Sequence, residues 1–318
     1  MCNKYIGPYK DVGPLYIEYK RSLGYDSISE EGALRRMDKF FYNRGITDVK
    51  LTKEMVEEYG KRRENESIDT QRSRLTLMKQ FAIFLLNLGY TDVYVHNIKL
   101  GKDEKKFRPY IYSKEDIKKI IYYIDLHQND NKSINDFVLP IYIRLLYGCG
   151  LRRGELDNLL KKNVDYNQKT IKIVDGKGHV TRIVPLSNSL WDACIKYRNK
   201  LPIKSKYFIC DLKGNKVSKH ITKYFQKILI KLNILRPDGT PPRLHDFRFT
   251  FSINALNQME ERGQDLYTTL SILSRYLGHK NISATEHYLI LAKDYFINIR
   301  NKEEEYYSDL LKMEESDE

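Results

Sequence analysis

With 318 residues, 41% of them hydrophobic and 12% aromatic against 31% charged, the chain is long enough for one large or two ordinary domains and too apolar for a disordered polyampholyte. No apolar run approaches the roughly 18 uncharged residues of a membrane span, and residues 1–10 lack the apolar core of a secretory signal, so a soluble protein of the cytoplasm is expected. The net charge of +13 is unevenly spread: +3 over residues 1–100, +2 over 101–150, +14 over 151–300 and −6 over 301–318. That asymmetry points to a polyanion partner, since cationic side chains gain by displacing counterions from phosphates; a basic surface that only aids solubility is the alternative. A membrane surface fits less well, because no basic amphipathic helix stands out. Cys2, Cys149, Cys194 and Cys210 form no CxxC pair, which argues against disulfides and a cysteine metal site.

In chain order, helical spacing of apolar residues predicts helices over 15–23, 29–44, 52–64 and 69–88. In the last, Leu75, Met78, Ala82, Leu85 and Leu86 read as one apolar stripe, with Arg72, Arg74 and Lys79 elsewhere on the helix. The segment KLGKDEKKFRP, residues 99–109, combines a charge run, a glycine and a proline, and reads as a linker. Domains are therefore expected at 1–98 and 110–300, followed by an acidic segment at 301–318. The second domain opens with Ser113 and Asp116, a capping-box pattern before Ile117, Ile120, Ile121 and Ile124. An apolar helix over 137–147 and a helix over 155–162 follow. Alternating residues in 170–185 around Asp175-Gly176-Lys177-Gly178 predict a hairpin, the strongest β signal in the chain. Further helices are expected at 218–232, 245–260, 268–277 and 283–293. The fold class is thus mainly α with a small β-sheet in the second domain.

Five segments place strong hydrogen-bonding side chains beside structural punctuation. Arg152, in Gly150-Leu151-Arg152-Arg153-Gly154-Glu155, sits at a helix-to-helix corner, where its planar fork suits two phosphate oxygens; a local ion pair with Glu155 is the plainer reading. Lys177 lies at the hairpin tip, a position that is usually only solvated. His245 and Arg248 are three apart at a helix start and share a face. His279 follows a helix end at Leu277-Gly278. Tyr288 falls in the first turns of a helix opened by Ser283-Ala284-Thr285-Glu286, and with 25 tyrosines in the chain only its position singles it out.

In that order and spacing, GLRRGEL, GKGHVTRIVPL, HDFR and LGHKNISATEHY resemble the tyrosine recombinase, or phage integrase, family, and the resemblance extends to the helical domain and linker ahead of them. It implies a SAM-like helical core-binding domain that clamps DNA together with a tyrosine-recombinase catalytic domain. It implies catalytic residues Arg152, Lys177, His245, Arg248 and His279, with Tyr288 as nucleophile and Arg153 as a neighbour. Cys149 stands where the family often has threonine, and Phe247 where leucine is usual; both keep a compact or apolar packing position. The stretch between HDFR and LGH is longer than in compact members, which tilts the expected role toward integration, excision or transposition of a mobile element. Dimer resolution of the Xer kind or DNA inversion is the alternative, with a type IB topoisomerase or a non-catalytic DNA-binding protein further behind.

The residues argue the same chemistry. A phosphodiester repels nucleophiles, so cleavage requires neutralised oxygens, an in-line nucleophile and a proton for the leaving group. Two arginines, a tyrosine, a lysine and two histidines supply these. A covalent 3′-phosphotyrosyl ester would conserve the bond energy, so no metal, ATP or other cofactor is expected. The implied partner is double-stranded DNA, with a homotetramer acting on two sites and the protein a monomer when DNA is absent; accessory or excision factors are possible partners, and no membrane is expected. The many Lys, Ile, Asn and Tyr residues, which use AT-rich codons, hint at a low-GC bacterial source. The resemblance implies that the segment from roughly Asp294 to Leu311 docks on a neighbouring protomer; the acidic end, Glu314 to Glu318, could meet a basic partner surface or equally be a solvated tail.

Overall fold

The computed structural model describes residues 5–101, 108–127, 134–176, 180–201, 204–211, 213–217, 220–279, 281, 285–286 and 288–289. The chain divides into two compact units, Met1–Phe107 and Arg108–Glu318. Among the described residues it is mainly helical with one small sheet, the class read from the sequence.

The first unit packs helices α1 (Val12–Ser22), α2 (Ile28–Tyr42), α3 (Lys53–Gly60) and α4 (Ile68–Asn87). Thr52 and Ser67 start α3 and α4 by accepting the N–H of Met55 and Thr70, which satisfies donors that have no partner inside the helix. Tyr9, Leu34, Met37, Phe41, Met78 and Phe81 are completely buried at the centre. The buried Asp38 carboxylate accepts the N–H groups of Ile6, Gly7 and Tyr9 and so ties the entering strand of chain to α2. The expected stripe on α4 needs correction at two places. Leu86 is exposed, and Arg74 turns inward, where its guanidinium holds Glu66 at 2.7 Å. A long cationic side chain can be buried there because its charge is matched and its stem packs.

The second unit begins with α5 (Lys114–Leu126), whose Ser113 and Asp116 form the capping box that the sequence predicts. Then come α6 (Ile134–Cys149), α7 (Arg153–Asp157) and a 3-10 turn at Lys161–Asn163. The helix expected over 155–162 stops at Asp157 because the chain extends instead: Leu159 accepts the Phe208 N–H and Lys161 donates to Lys206. Strands β1 (Val164–Asp165), β2 (Thr170–Gly176) and β3 (Val180–Pro185) form an antiparallel sheet in that order, so the predicted hairpin is present with a short third strand beside it. Helix α8 (Asn188–Asn199) was not anticipated, although Ser187 caps it and Leu190, Trp191, Cys194 and Tyr197 give it a buried helical face. Helices α9 (His220–Lys231), α10 (Asp246–Glu261) and α11 (Leu266–Leu277) complete the unit.

The core of this unit gathers around α6, whose Tyr142, Leu145 and Leu146 are buried with Phe225 and Phe247. Phe247 stacks on Tyr112 at 4.4 Å between ring centres, and Cys149 is buried, so both departures from the family pattern fill packing positions. Cys149, Cys194 and Cys210 are free thiols. The described residues contain no cluster of potential metal ligands and no helix long and apolar enough to cross a membrane.

Candidate active site

The site is built where three chain turns meet. Helix α6 ends at Gly150, whose φ of +59° reverses the chain; a Cβ there would lie 2.4 Å from the Phe251 ring, so both conformation and space call for glycine. Two residues later Arg152 caps α7, and the Glu155 carboxylate reaches back to its backbone N–H at 2.9 Å. Helix α11 ends at Gly278, φ +68°, with Gly278 donating to Arg275 and His279 to Ser274, a Schellman closure that fixes where His279 leaves the helix. His245 and Arg248 enter at the start of α10, held by the buried Asp246, which pairs with Arg236 and Arg243.

Arg248 is almost wholly buried. Its guanidinium donates to the carbonyls of Gly150 and Leu277, each at 2.7 Å, and to His279 Nε2 at 3.0 Å. Both carbonyls lie at helix C-termini, where unpaired acceptors and the helix dipole favour a cation. Burial, aided by the Arg152 charge and opposed by Tyr288, draws the Arg248 guanidinium down to about 10, so it stays charged at neutral pH. Arg152 donates to Glu155 at 2.9 Å and more distantly to the same Leu277 carbonyl, 3.4 Å away. The local ion pair and the convergent placement of Arg152 thus coexist.

Glu155 is shared. Arg182, on β3, grips both of its oxygens, at 2.9 and 2.7 Å, in a buried bidentate pair. Burial works against the charged carboxyl, but the hydrogen bonds and charge of Arg182, followed by those of Arg152, prevail and hold it at about 2. Among the described residues Arg152, Arg182 and Arg248 therefore face a single carboxylate and a few carbonyl dipoles, which leaves surplus positive charge for an anion. Arg153 is turned elsewhere, donating to Asp157 and to Thr222.

Both histidines are poised neutral. Burial, then the charge of Arg248, pulls His245 and His279 down to about 4 each. The His279 ring lies parallel to that of Tyr288, 5.8 Å between centres, and Tyr288 packs on Phe249 in a small cluster with Leu273, Leu277 and Leu289. Tyr288 is 5% exposed. Thr285, Glu286, Tyr288 and Leu289 have helical backbone, in agreement with the helix expected there, whose remaining residues lie outside those described.

Of the six residues singled out from the sequence, Arg152, His245, Arg248, His279 and Tyr288 come together from α7, α10 and the chain after α11. Lys177 lies outside the described residues, which resume at Val180, the partner of Gly176. Sequence reasoning missed Arg182 and Thr285. The available signal for Arg182 was the strand alternation, which puts it on the same face as the buried Val184 while Thr181 and Ile183 face out.

The sequence profile of the phage integrase family matches residues 113–294, more than half of the chain. The chain belongs to the phage integrase family. These are the tyrosine recombinases, enzymes that cleave and rejoin DNA. Among its relatives, y4rB of Sinorhizobium fredii (strain NBRC 101917 / NGR234), which carries the name integrase/recombinase, is 28% identical over 86% of this chain and 90% of its own. The tyrosine recombinase XerC of Staphylococcus carnosus (strain TM300) is 26% identical over 69% of this chain and 70% of its own. In three dimensions this chain resembles the Tn1549 transposon integrase solved with transposon right end DNA: the TM-score is 0.61 at 16% identity, covering 87% of this chain and 94% of the other, which is a likeness of fold.

Proposed function

We propose that this integrase-family enzyme is a site-specific recombinase that cuts and rejoins duplex DNA through a covalent 3′-phosphotyrosyl intermediate on Tyr288. The observation that carries this reading is the convergence of Arg152 and Arg248 on one carbonyl, with His279 bonded to Arg248 and stacked on Tyr288. A scissile phosphate placed between the two guanidinium groups would have its nonbridging oxygens neutralised by rigid donors, the arrangement that lowers a phosphoryl-transfer barrier. The Tyr288 oxygen attacks phosphorus while the bond to the 5′ oxygen breaks. The phenolic proton passes to the neutral imidazole of His245, or to His279 once its Nε2 gives up the Arg248 hydrogen bond, and Lys177 protonates the departing 5′ oxygen. Attack on the ester by a 5′ hydroxyl of a partner duplex reverses these steps and exchanges the strands. Bond energy is kept in the ester, and the cations are side chains, so the reading requires neither a metal nor ATP.

In this reading the helical unit ahead of residue 108 clamps the duplex with the catalytic unit, and four protomers act on two sites. The long segment between HDFR and LGH favours a mobile-element role in integration, excision or transposition. A Xer-like resolvase is the second reading, supported by the likeness to the staphylococcal XerC. The test is incubation with a nicked suicide substrate, in which the leaving 5′ end diffuses away. The wild-type protein is expected to accumulate a denaturation-resistant adduct and Tyr288→Phe none; an adduct on Tyr288→Phe would remove the proposed nucleophile. Substrates from the ends of a neighbouring element, set against resolution sites of the chromosome, separate the two roles.

A further inference from the structure

We propose that Thr285 is a positioning residue that anchors the His279 ring at Nδ1 and so keeps Nε2 aligned on Arg248. The inference rests on the reading of His279 and Tyr288 as members of one reactive site. Arginine has only donors, so the 3.0 Å bond from Arg248 obliges His279 Nε2 to accept. A neutral ring then carries its proton on Nδ1, which lies 2.7 Å from Thr285 Oγ1 and donates to it. Thr285 is completely buried, and this bond supplies its hydroxyl with a partner.

The two partners of the ring belong to different parts of the chain. Arg248 is locked into the body of the unit by two carbonyls, while Thr285 sits three residues before Tyr288 and on the same helical face. The backbone of His279 is anchored to α11 by its Schellman closure. Withdrawal of the Tyr288 turn would therefore leave His279 in place but remove the acceptor at Nδ1 and the stacked ring beside it. An imidazole with its proton on Nε2 would point a donor at the Arg248 donor, and the ring would leave its aligned position.

The experiment compares full-length wild type, Thr285→Val and Thr285→Ser. Nitrogen NMR of histidine-labelled protein, with His279 assigned through His279→Gln, is expected to show protonated Nδ1 and bare Nε2 in wild type and Thr285→Ser. In Thr285→Val, which keeps the volume and loses the hydroxyl, Arg248 still sets the tautomer, but the Nδ1 proton is expected to lose its hydrogen bond and move upfield. Adduct formation is expected to fall about tenfold or more in Thr285→Val, as for other groups that orient a reactive imidazole, and to recover in Thr285→Ser. Combining Thr285→Val with His279→Ala should slow the reaction no further than His279→Ala alone. An unchanged Nδ1 proton shift in Thr285→Val, or losses that multiply in the double variant, would overturn the proposal. If wild type forms no adduct on any substrate, the recombinase reading fails, and the comparison of the Nδ1 proton shifts alone still decides the role of Thr285.

Discussion

At the scale of single residues, Glu155 joins the arginine of the α7 corner to the arginine of β3. Removal of one member of a buried charged set leaves the others uncompensated, so Glu155→Ala is expected to lower stability by about 3–5 kcal/mol, measured by urea unfolding. It should also slow adduct formation, because Arg152 loses its brace. The histidines predict a pH effect. Both titrate near 4 in the folded chain against an ordinary 6.5, so the unfolded chain binds their protons more readily. Their contribution to stability is complete above pH 6.5 and is lost as the pH falls toward 4. The urea midpoint should therefore drop across that window, and the double variant His245→Gln, His279→Gln should flatten the drop. A bound phosphodiester offsets the arginine charge and should raise the His279 pKa, which NMR titration with and without DNA would report.

At the scale of elements, the turns matter more than the helices they end. Gly150 combines a positive φ with a Cβ position 2.4 Å from Phe251. Gly150→Ala should cost about 1–2 kcal/mol for the left-handed backbone and about 1–3 kcal/mol more for overpacking, seen as a lowered thermal midpoint. Most elements were legible because their signals are local: Ser113 with Asp116 announces α5, and the alternation around Gly176 announces the hairpin. The failures were tertiary. Residues 158–162 keep helical spacing, yet pairing of Leu159 and Lys161 with the chain at 206–208 wins. Arg74 looks like a surface cation until Glu66 is seen to neutralise it. The motif residues of the site could be read in order along the chain. What they could not show is that Glu155 binds two arginines and that His279 is held between Arg248 and Thr285, because these bonds join residues brought together only by folding.

At the scale of the molecule, the charge distribution has a consequence for binding. The excess of +14 over residues 151–300 falls in the unit that holds the arginine cluster, while the last 18 residues carry −6. If that excess is a duplex footprint of roughly 6–10 phosphate contacts, affinity should fall by about 10³ to 10⁵ between 50 and 200 mM salt, measured by fluorescence anisotropy on a short duplex. Arg182→Gln, which is buried, should leave the salt slope unchanged, whereas neutralisation of exposed lysines in the same unit should reduce it by about one per contact. The most direct test of the central claim is to map the covalent attachment point. The DNA-linked adduct would be digested with nuclease and trypsin and the phosphorylated peptide sequenced by mass spectrometry. The account predicts the modified residue to be Tyr288 among the 25 tyrosines of the chain; a phosphate on any other residue would contradict it.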